Sequence, residues 1–302
     1  MRPQTRAYAQ IHLCVLLWGF TAILGKLITL PALALVCWRM LLVSATLLLL
    51  PRVWRGLRAL TRRLLAVYAG IGAVVALHWL TFYGAIKLSN ASVAASCLAL
   101  GSVFAAVLEP WIAGRRFDPR ELMLGAIAIP GIVLLFGGVS AGMHAGIAVG
   151  VLSAFLTALF SALNKRYVEH AEPLTVTGVE LGAGLAFLLL ASPLLPGGDG
   201  PLFPIPDLRD GALLLTLAWV CTLLPFSLSL AALRHVSAFS VQLALNLEPV
   251  YAIAIAIALL GEQRELSPPF YAGVALILFA VFAHAWMARR SQRQAPPVPL
   301  ET

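Results

Sequence analysis

Apolar residues run along this chain in long blocks, and the blocks stop at clusters of charge, glycine or proline. Cut there, the pattern predicts ten helical spans: 10–28, 32–51, 64–86, 91–113, 120–138, 145–164, 173–191, 210–233, 238–260 and 269–288. A helix needs about 20 apolar residues to cross the bilayer core. The stretch YAIAIAIALL, Tyr251–Leu260, alternates with period two, as a strand does. Both members of that alternation are apolar, and a lone strand cannot pair its backbone in lipid, so a helix is predicted there too. The expected fold is an all-α integral membrane protein.

Composition agrees. Of 302 residues, 61% are hydrophobic and 11% charged, against about 25% charged in soluble domains. The net charge of +8 would suggest nucleic acid in a soluble chain. Here the basic residues lie in short loops, and no nucleic-acid partner is expected. With the N-terminus inside, every Lys and Arg except Lys26, Arg39, Lys87, Arg209 and Arg264 falls on the inner side. That bias puts both termini in the cytoplasm and favours an even number of spans. The four cysteines lie in apolar runs and form no CxxC pair, so they read as core residues. The first apolar run lacks a clear cleavage site and reads as a span. The connection 193–210 carries five prolines and three glycines and reads as an irregular outer loop. The tail 289–302 is polar and proline-rich, with the composition of a disordered cytoplasmic segment.

Ala85–Gly114 aligns with Ala232–Gly261 at a fixed offset. Ala85, Ala91, Leu98, Leu100, Val103, Ala105 and Gly114 meet identical residues, Lys87 meets Arg234, and Phe104 meets Tyr251. The alignment suggests two five-helix units, 1–138 and 145–288. An odd number of spans inverts the second unit relative to the first. Inverted repeats recur in secondary transporters, with the solute site near the midplane between them. A duplication kept only for packing is the alternative.

Three motifs carry a resemblance: LWGF at Leu17–Phe20, WRMLLVSATLLLLP at Trp38–Pro51, and LEPVYA followed by LLGE between Leu247 and Glu262. With the ten spans, they resemble the EamA family of the drug/metabolite transporter superfamily over about residues 8–288. The resemblance implies two inverted five-helix repeats, cytoplasmic termini, a central cavity and a place in the bacterial inner membrane. It also implies export of an amino acid or other small metabolite. One departure stands out. The first half has its own Leu-Glu-Pro at Leu108–Pro110, but the repeat alignment sets Gly101 and Ser102 opposite Glu248 and Pro249.

Glu248 is the eleventh residue of its predicted span, about 15 Å deep at 1.5 Å per residue. An ionisable group there costs about 2.5–3.5 kcal/mol on insertion scales. Pro249 frees the Leu245 carbonyl and bends the helix. Two readings stand: Glu248 couples proton movement and Pro249 supplies a bend, or the pair staples the bundle. Gln242 and Asn246 share a helical face and are candidates for solute contact or for an interhelical bond. Trp18 and Trp79 lie deep enough for each indole N–H to need a partner, and are candidate cavity residues. Arg39 and Glu180 are intramembrane charges expected to cap a backbone or pair locally, not with each other, with substrate contact as the alternative. Glu180 sits in the GxxxG run Gly178–Gly182, a close-packing signal. His78 reads as a packed residue or a proton relay. Tyr83 and Trp54 read as interfacial aromatics.

No GxxxxGK[ST] or HExxH motif occurs, so no cofactor, metal or enzymatic role is expected. The expected function is secondary transport of a small-molecule substrate across the lipid bilayer, with a lipid-modifying membrane enzyme or a non-transporting scaffold as alternatives.

Overall fold

The computed structural model describes residues 3–114, 116–119, 122–123, 128–195, 197–245, 247–276, 279 and 283. The described residues form a helical bundle with no strand among them. α1 (Pro3–Leu27) and α2 (Ala32–Leu48) are followed by a short helix, α3 (Pro51–Ala59). α4 (Arg62–Leu88) leads to a broken pair, α5 (Ala91–Leu98) and α6 (Gly101–Ala113). α7 (Ala128–Gly137), α8 (His144–Tyr167) and α9 (Pro173–Ala191) come next. α10 (Leu208–Ala218) continues through a π-turn, Trp219–Leu223, into α11 (Leu224–Leu233). A second broken pair is α12 (Ala238–Leu245) and α13 (Glu248–Leu260), and residues 268–276 are helical.

Among the described residues, six helices are long and apolar enough to cross a membrane, or seven if α2 and α3 count together. That is fewer than the ten spans the hydrophobic pattern predicts. Length explains part of the gap. α13 has 13 residues, and α12 only eight. The predicted spans 120–138 and 269–288 lie partly outside the described residues. The predicted span 32–51 is also altered: α2 stops at Leu48, and α3 leaves it at 90°. Pro51 starts α3 at a position where its missing N–H costs nothing. Arg52, Arg55 and Arg58 on α3 are exposed.

Local chemistry sets the helix ends. The side chains of Thr61, Asn90 and Asp207 accept from the N–H groups of Leu64, Val93 and Asp210. Gly114 and Gly261 close α6 and α13 with φ of 72° and 69°, a left-handed geometry suited to glycine. The loop after α9 has one short 3₁₀ turn and is otherwise irregular up to Asp207. Trp38 Nε1 anchors it on the Pro204 carbonyl at 2.9 Å.

The two broken pairs share one register. Each boundary in the second half lies 147 residues after its counterpart: Ala91 and Ala238, Leu98 and Leu245, Gly101 and Glu248, Ala113 and Leu260. The matched basic residues also act alike. Lys87 Nζ donates to the Ile28 carbonyl just past α1, at 2.6 Å. Arg234 donates to the Val168 and Ala171 carbonyls just past α8. Each therefore caps the end of its half's first helix, where a cation meets unpaired carbonyls.

Small residues bring the helices together, as lipid supplies no hydrophobic drive. A Cβ on Gly72 of α4 would run into the Glu180 carbonyl of α9, and one on Gly184 would meet the Gly72 carbonyl. Gly178 and Gly182, the predicted packing motif, face Val53 and Leu47, and Ser44, respectively. All four cysteines are free and buried.

Candidate functional site

The helix break at Leu247 brings Glu248 to the first turn of α13, with Pro249 beside it. In that turn the missing proline N–H has no intrahelical partner to lose. The pair therefore starts a helix, and does not bend the middle of one as the sequence suggested. Glu248 is 5% exposed and lines a central cavity. Other walls come from Trp18 and Thr21 of α1, Arg39 of α2, His78 and Trp79 of α4, Asn164 of α8, Phe226 and Ser229 of α11, and Val241 and Leu245 of α12.

Arg39 is held from three sides. Its Nε donates to Thr222 Oγ1, Nη1 to the Tyr83 hydroxyl at 2.8 Å, and Nη2 to the Cys221 carbonyl at 3.3 Å. Its guanidinium carbon is 3.8 Å from the Trp79 ring centroid. The π-turn makes this possible. Pro225 has no N–H to give the Cys221 carbonyl, which is therefore free for Arg39. Thr222 in turn donates to the Leu217 carbonyl at 2.6 Å. The ring contact and the hydrogen bonds from a charged group together offset the cost of burying Arg39. Tyr83 is fully buried as Arg39's partner, not an interfacial aromatic. Trp54 is 47% exposed.

His78 Nδ1 lies 2.8 Å from Ser153 Oγ and 3.0 Å from the Ser153 carbonyl. Ser153, Thr157, Ser161 and Asn164 follow at steps of four, four and three along α8, so they lie close to one helical face. The last three line the cavity. Behind them Asn164 Nδ2 donates to Glu180 Oε2 at 3.3 Å. Glu180 is fully buried, and among the described residues neither its Oε1 nor Asn164 Oδ1 has a hydrogen-bond partner.

Of the residues picked from sequence, Trp18, Trp79, Arg39, His78 and Glu248 come together here. Arg39 and Glu180 have separate partners. The Gln242 side chain and Asn246 lie outside the described residues; their neighbours Val241 and Leu245 line the cavity. Sequence reasoning missed the α8 polar face, although its spacing within an apolar span was a readable signal.

It also missed two clamps. Glu109 of α6 accepts from the Ala238 and Phe239 N–H groups at 2.9 and 2.7 Å. Glu262, beyond α13, accepts from the Ala91 and Ser92 N–H groups, both at 3.0 Å, and from Ser92 Oγ at 2.6 Å. Each carboxylate caps the N-terminus of the other half's broken helix, where unpaired donors and the helix dipole favour an anion. The capped residues, Ala91 and Ala238, are register mates. The cavity's volume is ≈ 70 Å³. At about 10–15 Å³ each that holds a few waters, far below the roughly 300–1,000 Å³ of a metabolite pocket. To take a solute, the cavity must widen.

A solved structure described only as "Crystal structure of protein" matches with a TM-score of 0.68 at 17% identity, over 95% of this chain and 98% of that one. A likeness at that identity speaks for the fold alone. No curated protein sequence matches. The model of the EamA-like transporter family matches residues 5–137 and again 144–286. The double match fits the two broken pairs in one register, the EamA family belongs to the drug/metabolite transporter superfamily, and this multi-pass chain belongs to the EamA-like transporter family.

Proposed function

We propose that the chain is a secondary transporter, working by alternating access, that exports a small polar or amphipathic metabolite from a bacterial cytoplasm. In this reading ten helices form two inverted five-helix units, with both termini inside. The central cavity between the units is the solute path, and Trp18, Trp79, Arg39 and Glu248 are its contacts. Gln242 and Asn246 are proposed as further contacts.

The observation that carries the reading is the cavity itself. It sits where two broken helices meet in one register, and it brings a cation, a carboxylate and two indoles together at depth. Ionisable groups inside a membrane are costly and commonly mark solute or ion paths. Broken helices at the midplane are the usual frame of such sites. The clamps supply a means of alternation. Glu262 closes the end that holds Ile28 and Ser89, and Glu109 closes the end that holds Ala113. Releasing one while keeping the other opens the cavity to one side. In the proposed orientation the Glu109 end is cytoplasmic.

The test starts from purified protein screened for thermal stabilisation by amino acids, purines, sugars and polyamines. A stabilising solute is then followed in proteoliposomes. The reading expects counterflow of that solute, lost in Trp79→Ala with the protein still folded. Stabilisation without any movement across sealed vesicles would overturn it.

A further inference from the structure

Two buried carboxylates stand in different settings: Glu248 lines the cavity, and Glu180 lies behind the cavity residue Asn164. Glu248 shares its space with the fixed guanidinium of Arg39, so its charge is balanced across the cavity. Glu180 has no such balance. Among the described residues its one hydrogen bond is the 3.3 Å contact from Asn164, and no ion pair reaches it. Oε1 and Asn164 Oδ1 are both buried acceptors without a donor among the described residues. The site is thus rich in acceptors and short of a positive hydrogen. A buried carboxylate in that position needs one.

The charged groups on the helices around Glu180 are directed elsewhere. On α4, Tyr68 gives its hydroxyl to the Tyr167 carbonyl at 2.9 Å. Beyond Tyr68, Arg234 is held on the Val168 and Ala171 carbonyls. On α2, Met40 and Ser44 lie against Gly184 and Gly182 of α9. α3 sends Arg52 outward to Glu172 at 3.0 Å, and its other arginines are exposed. α11 offers Ser227, 3.3 Å from Thr177. On α8 the residue after Asn164, Lys165, donates to the Leu233 carbonyl at 2.6 Å. These cations are turned to carbonyls, to Glu172 or to solvent, not to Glu180.

Access runs along α8. Asn164 lines the cavity and touches Glu180, and Ser161, Thr157 and Ser153 lead from it to His78. Hydroxyl, amide and imidazole groups spaced along one helix face can pass a proton through water held between them.

We propose that Glu180, with Asn164, is the site of the coupling proton, reached from the cavity along the polar face of α8. The proton adds to Oε1 or Oε2 from the cavity and leaves to water on the other side after the cavity reorients. Nothing else is consumed. Glu248 then serves the solute and Arg39, not the proton. The proton's role in coupling rests on the transport reading; its presence on Glu180 does not.

The experiment therefore has a solute-free arm. Infrared difference spectra between acid and alkaline pH are recorded for the full chain in nanodiscs. A buried-carboxyl band is expected in wild type, lost in Glu180→Gln and kept in Glu248→Gln. If Glu180→Gln does not fold, Asn164→Ala is read instead, and a shifted band is expected. A band untouched by the Glu180 or Asn164 change, or lost in Glu248→Gln, overturns the proposal. The second arm uses vesicles and the solute found by stabilisation. Glu180→Gln should lose accumulation driven by a pH gradient and keep solute exchange. Accumulation driven by a sodium gradient alone would also overturn the proposal. A protein that shows the Glu180 band and moves no solute keeps the proton site and sinks the transport reading.

Discussion

The guanidinium of Arg39 lies over the indole of Trp79, 3.8 Å from its centroid. One face of the cation is thus covered by an aromatic ring, while its edge is tied to Tyr83, Thr222 and the Cys221 carbonyl. The charge is fixed in place, and a neighbouring carboxylate, Glu248, faces the same cavity. A solute entering there meets a rigid cation and a carboxylate between aromatic walls.

Replacing Arg39 by Lys keeps a charge but loses the planar fork. Loss of one charged hydrogen bond costs about 1.5–3 kcal/mol. Thermal unfolding in detergent should show Arg39→Lys clearly less stable than wild type, with Trp79→Phe affected less because a ring remains. Equal stability of Arg39→Lys and wild type would show that the three-sided hold carries no energy.

Gly72→Ala places a methyl group against the Glu180 carbonyl. Overpacking of this kind costs about 1–3 kcal/mol. The variant should unfold at lower temperature, while Gly70→Ala, where a Cβ meets nothing within 4 Å, should not. Similar behaviour of the two would mean that α4 and α9 are looser than described.

How much of this was readable in advance depends on which force set each feature. Apolar blocks gave the helices, because lipid admits little else. The repeat alignment put Gly101 opposite Glu248, and both residues start a helix after a break. The break itself stayed hidden. Glu248 and Pro249 read as a kink because a sequence does not say whether a proline frees a carbonyl or starts a new helix. α3 was missed because its arginines looked like loop. Arg39's partners lie 44 to 183 positions away, and no local pattern predicts such contacts. The clamps of Glu109 and Glu262 were missed for the same reason: a carboxylate capping a distant helix has no spacing to recognise.

The clamps make opposite predictions for the two ends. An N-cap carboxylate contributes about 0.5–2 kcal/mol, so removing one should tilt the protein toward opening at that end. With a reporter cysteine at Leu98 in the cavity wall, Glu262→Ala should speed labelling from the Ser89 end. Glu109→Ala should speed it from the Ala113 end. Labelling that rises equally from both sides in both variants would deny the clamps a gating role.

Orientation is open to direct test. The four native cysteines are buried, which keeps background labelling low. An impermeant thiol reagent on intact cells should label Asp199→Cys, in the loop after α9, and leave Arg58→Cys, on α3, unmodified until the membrane is opened. Both positions are exposed. The reverse pattern would turn the molecule over and make the Glu109 end the outer one.

The central claim is that solute passes through the cavity bounded by Arg39, Trp79 and Glu248. Ser229 lines that cavity and is replaced by cysteine in a background whose native cysteines are alanine. In proteoliposomes, alkylating that cysteine should stop solute counterflow, and the transported solute should slow the alkylation. Undiminished counterflow through fully alkylated protein would contradict the account.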